Sequence, residues 1–172
     1  MSRFRGRRTA ATAAIVAALA GAALAGASLR LAADPVEPRY AEGGTIFQAN
    51  CAVCHGAKGL GQPSLAPPLT SYPARYATIA EGRRQLAITV LNGMFGGIDV
   101  ESKHYDFKMP EFSQLDDAAL AAALNFVVFD LGHAAEGTKP LQPAEIAAER
   151  ANPLDGPAVR EHRTKVLTAL GL

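Results

Sequence analysis

Cys51-Ala52-Val53-Cys54-His55 is the stretch on which the reading of this chain turns. Two thiols three residues apart lie close to one helical turn from each other, so a short helix presents both on the same side. Three chemistries use such a pair: a thioredoxin-like redox couple, half of a zinc site, or covalent attachment of a c-type haem through C-x-x-C-H. A redox couple wants a βαβ setting, which the neighbouring sequence lacks. Zinc needs two further ligands, and the 172 residues contain no second cysteine pair. The histidine directly after the second thiol completes the haem pattern. The two thiols add across the vinyl groups on one porphyrin edge, and the imidazole that follows reaches the iron. The motif therefore implies one haem c bonded through Cys51 and Cys54, with His55 as an axial ligand.

The surroundings of the motif extend the argument. Gly43, Gly44 and Phe47 precede it, Gly56, Gly59 and Gly61 follow it, and Pro67-Pro68-Leu69, Met109-Pro110 and a helical stretch over residues 115–129 come after. In this order the features resemble the mono-haem class I cytochrome c family of periplasmic bacterial type, over residues 40–132, about half the chain. The resemblance implies an all-α fold, helices and long loops wrapped around one covalently bound haem. It implies that the Pro67 carbonyl accepts a hydrogen bond from His55, which orients the imidazole and strengthens it as a donor. It places Met109 at the position of the distal iron ligand. The implied activity is outer-sphere electron transfer, as a carrier or as the cytochrome subunit of a periplasmic dehydrogenase or other oxidoreductase, with no bond made or broken.

The residues themselves narrow the sixth ligand. Methionine occurs only at positions 1, 94 and 109. Met109 precedes proline, which keeps it out of a continuing helix. Met94 sits among glycines after a helical stretch and reads more simply as an apolar plug at a helix end. A histidine ligand or an open site stays as the alternative, and with it a haem-based gas sensor or haem enzyme. His104 reads as a solvated loop residue, His133 as a cation near a helix end, and His162 as part of an exposed helical face.

The N-terminus reads as an address. Arg3, Arg5, Arg7 and Arg8 precede an uncharged run from Thr9 to Leu29, with small-residue cleavage sites at Ala23-Leu24-Ala25 and Ala25-Gly26-Ala27. This is the pattern of an export signal over residues 1–27, either cleaved or retained as an inner-membrane anchor, and it predicts a periplasmic location. Residues 28–39 then read as a linker, since Pro35 and Pro38 bar a helix. Four of the 17 basic residues lie in the signal, so a chain starting at Ser28 carries 13 against 16 acidic residues, a net of −3. That balance offers no basic face to nucleic acid. It predicts a redox partner, a periplasmic dehydrogenase, reductase or terminal oxidase, that meets it with a basic patch. Membrane contact is implied only if the signal is retained.

Beyond the motif, a first helix is predicted over residues 41–54, a short helical turn over 76–79 and a longer helix over 83–91. A closing helix is expected with Ser113 as its N-cap, Asp116 and Asp117 in its first turn and Gly132 at its end. Either Phe126 or Phe129 is placed to meet Phe47. No strand pattern emerges. With the family domain at residues 40–133, residues 134–172 form an extension of two short helices, over 143–150 and 157–170. The extension is either a strap packed on its own domain or a docking element for a partner, and its removal is expected to leave a haem spectrum intact.

Overall fold

A computed structural model describes residues 38–172. The export signal and residues 28–37 of the linker lie outside the described residues. Among the described residues, no helix is long and apolar enough to cross a membrane.

The frame is a helix crossing. α1 (Ala41–Asn50) lies against α5 (Asp117–Asn125), and the two approach so closely that a Cβ at Gly43 would run into the Ala122 carbonyl oxygen. Phe47, fully buried, meets Phe126 at 5.4 Å between ring centroids, and Phe129 stacks instead on Tyr40 at 5.2 Å. The Arg39 and Tyr40 amides donate to the Asp130 carboxylate, which ties the start of the described chain to the same helix pair. α5 runs on into a π-helical segment, Phe126–Leu131, whose wider turn shifts the face presented to the core.

The first helix is not continuous to the motif. It breaks at Cys51, and a separate turn, α2 (Ala52–His55), carries Cys54 and His55. The short helix predicted over 76–79 lies earlier, as α3 (Tyr72–Tyr76), with Pro73 in its first turn. α4 (Ala80–Asn92) extends the predicted 83–91 at both ends. Ser113 does not cap the closing helix. Asp116 does, its carboxylate accepting the Ala119 amide at 2.7 Å. The cap lies three residues later because a turn intervenes, closed by the Leu115 amide donating to the Phe112 carbonyl. Asp116→Ala is expected to cost about 1 kcal/mol in thermal or denaturant unfolding. Ser113→Ala should cost nothing measurable, and equal losses would contradict the cap.

The absence of strands is also corrected. β1 (Ile98–Val100) and β2 (Lys103–Tyr105) form an antiparallel hairpin, with Ile98 opposite Tyr105 and Val100 opposite Lys103. Its turn residues, Glu101 and Ser102, both have positive φ, +50° and +63°. That geometry matches strand twist but is usually announced by Asn-Gly or Asp-Gly, and Glu-Ser carries no such signal.

Residues 134–172 pack on the rest of the described chain as α6 (Pro143–Arg150) and α7 (Gly156–Leu170). Leu141, Ile146, Val159 and Val166 are at most 1% exposed. Leu141, Ile146 and Val166 share one apolar core with Leu86 and Leu91 of α4 and with Leu120 and Leu124 of α5. Polar bonds fix the register. The Asn125 amide exchanges two hydrogen bonds with the Leu141 backbone, at 2.7 and 3.0 Å. Arg83 forks onto Glu145 at 2.7 and 2.8 Å and also donates to the Lys139 and Pro140 carbonyls. That fork holds the Glu145 carboxyl below the usual carboxylate range. His162 is 9% exposed, not on an open face, and its ring nitrogens lie 2.7 Å from Gln85 Oε1 and 3.1 Å from Glu81 Oε2.

Candidate cofactor site

One apolar cavity collects the residues singled out from the sequence. Cys51, Cys54, His55, Pro67 and Met109 all line it, and so does Met94. The elements that deliver them come from both sides of the motif. α2 supplies Cys54 and His55, the loop after it supplies Pro67, and the segment between β2 and α5 supplies Met109.

His55 is positioned by one bond. Its Nδ1 lies 2.9 Å from the Pro67 carbonyl oxygen, an interaction that makes Nδ1 the protonated nitrogen and leaves the Nε2 lone pair free. The ring is 8% exposed, and burial pushes its pKa down, with the Pro67 bond opposing in part. It is therefore kept neutral, the form in which imidazole binds metal. The loop that brings Pro67 here is stitched to the motif: the Gly61 amide donates to the His55 carbonyl, and the Gln62 side chain donates to the carbonyls of Val53 and Cys54.

The cysteines are unpaired thiols, and burial beside Cys54 pushes Cys51 up to about 11. A thioredoxin-like couple works through a thiol pushed the other way, toward thiolate at neutral pH. The zinc reading lacks its ligands: among the described residues no three His, Cys, Asp or Glu side chains gather as a metal group.

Met109 is held by its backbone. Met94 and Met109 form an isolated antiparallel bridge, with N–H···O distances of 3.2 and 3.0 Å. Gly93, at φ +70°, permits this approach, because a Cβ there would lie 2.5 Å from the Met109 carbonyl oxygen. Met94 is thus more than a plug at a helix end; it is the strut for Met109. Sequence reading missed that role because the pairing joins two loop residues with no strand pattern.

Other lining residues were also missed. Tyr72 and Tyr76 of α3, Gln85 of α4 and Arg163 of α7 reach the cavity. A signal for Arg163 did exist. Val159, His162, Arg163 and Val166 stand at i, i+3, i+4 and i+7, the spacing of a buried stripe, and charge alone argued that the middle two faced water. His104 lies away from this set, exposed on β2 and 2.9 Å from Asp99. His133 follows the π-helical segment with φ +48°.

The site fits a haem on its own chemistry. The lining is almost wholly apolar, the two thiols and the free imidazole nitrogen share one wall segment, and a thioether is presented from a different loop. One buried polar atom, Tyr76 Oη, has no partner within the described residues.

The chain is similar to known proteins in the same sense. The family profile described as Cytochrome c matches residues 40–128. Cytochrome c-552 of Thermus thermophilus is 35% identical over 128 residues, a span covering 73% of this chain and 97% of that protein. A second protein of the same name, from a further strain of Thermus thermophilus, is also 35% identical over 128 residues, with 86% of its length covered.

Proposed function

The chain belongs to the cytochrome c family, with one covalent haem c and a part in electron transfer, and on that premise we propose that it is a periplasmic carrier with His55 and Met109 as axial ligands. The observation that carries the ligand assignment is that His55, with Nε2 free, and Met109, braced by Met94, line one apolar cavity.

The haem supplies a one-electron ferric–ferrous couple. The protein's residues do the rest. Cys51 and Cys54 provide the two thioether links. Pro67 holds the His55 ring by its Nδ1 and so fixes the direction of Nε2. Met109 offers a soft sulfur that favours the ferrous state over what a second imidazole would give, which raises the potential. Apolar walls from Leu86, Leu124 and Val127 exclude water and leave few dipoles to reorient when charge changes.

Val53 and Phe107 also line the cavity, yet they are 76% and 60% exposed. Large apolar side chains left open at a cofactor cavity suit brief contact with a redox protein, across which an electron passes without a bond being made. The acidic balance of the exported chain supports a partner with a basic patch, a periplasmic dehydrogenase, reductase or terminal oxidase, and association that slows as salt rises.

A potentiometric titration of the purified holoprotein, with carbon monoxide added to the reduced form, tests this reading. One step at positive potential, a low-spin spectrum and no response to carbon monoxide are expected. A low potential with prompt carbon monoxide binding would sink the His/Met assignment and favour an open-site sensor or enzyme.

A further inference from the structure

Met109 is joined to Met94 by an isolated bridge of two backbone hydrogen bonds, at 3.2 and 3.0 Å. Two bonds outside any ladder open easily unless the strands that make them are held elsewhere. On the Met109 side the next anchor is the Phe112 amide, which donates to the Val90 carbonyl at 2.8 Å. On the Met94 side the support comes from the C-terminal extension. Three of its residues, in α7 and the segment before it, contact positions 92–96. The Leu154 amide donates to the Asn92 side-chain oxygen at 3.1 Å. The Phe95 ring packs on Gly156 so closely that a Cβ there would lie 2.5 Å from two ring carbons. The Arg160 side chain covers Gly96, where a Cβ would lie 3.1 Å from Arg160 Nε.

Phe95 is the contact that reaches both sides of the bridge. Its neighbours Met94 and Gly96 line the cofactor cavity, whereas Phe95 is not part of that lining and turns to α7 instead. Its ring also carries the Lys108 ammonium, 4.2 Å from the ring centroid. Backbone therefore pairs residue 94 with 109, and ring and ammonium pair residue 95 with 108. Gly156 has no positive φ, so only the space taken by the ring asks for glycine there. The ring is a wedge between the extension and the two segments that present Met109.

We propose that Phe95, wedged against Gly156, is a positioning residue for the sixth ligand, and that through it the extension sets how rarely the Met109 sulfur leaves the iron. The inference rests on the assignment of Met109 as that ligand. A rival ligand reaches the iron only in molecules whose Met109 segment has swung away. Its apparent dissociation constant therefore falls in proportion as that open fraction rises. In the exchange the iron–sulfur bond breaks and a bond from the incoming nitrogen forms, with no electron transferred. Removing the wedge raises the open fraction and leaves the residues that line the cavity unchanged.

The test uses the full-length ferric holoprotein with imidazole as the rival ligand, followed by visible absorption. Hydrogen exchange at the Met94 and Met109 amides is the second readout, since both amides are the donors of the bridge. Phe95→Ala should tighten imidazole binding about tenfold, an opening made easier by about 1.4 kcal/mol. It should speed exchange at both amides by a similar factor. Phe95→Tyr keeps the ring and should bind imidazole as the parent does. Gly156→Ala pushes the ring from its seat and should act in the same direction as Phe95→Ala. A ring that only fills space would lower the melting temperature and leave imidazole affinity and both amides at the parent's values. That result in a folded Phe95→Ala holoprotein overturns the proposal. If that variant does not fold, Gly156→Ala decides: tighter imidazole binding supports the wedge, and parental binding overturns it. Met109→Ala separates the two readings. Imidazole binding no tighter than the parent's would remove Met109 as ligand and this proposal with it. Tight binding there, beside a parental Phe95→Ala, would overturn the wedge alone.

Discussion

A chain ending at His133 is expected to accumulate no stable folded domain. Leu141, Ile146, Val159 and Val166 are at most 1% exposed, three of them inside the core that α4 and α5 share. Burying such a side chain is worth about 1.5–3 kcal/mol. Losing four removes roughly 6–12 kcal/mol, against a net stability of about 5–15 kcal/mol for a whole domain. Asn125, nearly buried, would also lose both of its bonds to the Leu141 backbone, and Arg83 its carboxylate. Sequence alone predicts that the haem spectrum survives this deletion; the packing of α6 and α7 reverses that expectation. Circular dichroism and limited proteolysis of the truncated holoprotein give the measurement. Parental helicity with a cooperative melt would show that the core closes without the extension. A graded version is Ile146→Ala, expected to cost about 2–5 kcal/mol.

Met109→Ala is expected to lower the reduction potential by on the order of 0.1 V or more, within the ~0.8 V that axial ligands span. For one electron that is about 2.3 kcal/mol of lost preference for the ferrous state. The reduced variant should also bind carbon monoxide, because an alanine at this position offers the iron no ligand. Met94 supplies the control. It lines the same cavity and pairs with Met109 through backbone only, so Met94→Ala keeps the bridge and should leave the potential nearly in place. If instead Met94→Ala produced the large drop and Met109→Ala did not, the roles of the two methionines would be exchanged. The sign of the first result matters more than its size, since a thioether and the groups that replace it differ most in how they treat ferrous iron.

Sequence by itself determined the parts of this protein whose chemistry is local. Five consecutive residues specify the cofactor, because covalent attachment needs two thiols and an imidazole within one helical turn and nothing more distant. Helices in the extension were legible for a similar reason. Pro143 and Pro157 mark first turns, Asp155 caps α7 by accepting the Ala158 amide, and Gly171 ends it at φ +64°. These signals act over three or four residues, the range across which side chains and backbone amides of one helix meet.

Tertiary structure alone decided what each exposed-looking residue would touch. His162 and Arg163 stand on a buried stripe by spacing and on a solvated face by charge. The contradiction resolves only when Gln85, Glu81 and the cofactor cavity are placed opposite them, more than sixty residues away in sequence. The hairpin at residues 98–105 and the Met94–Met109 bridge depend likewise on segments that show no strand pattern until they lie side by side. The cost of burying a charge, or the worth of a two-bond bridge, is a property of the partner it meets. Periodicity along the chain does not contain that partner, and so the cavity's far wall, including the residue that the extension contributes, appeared only once the chain was folded.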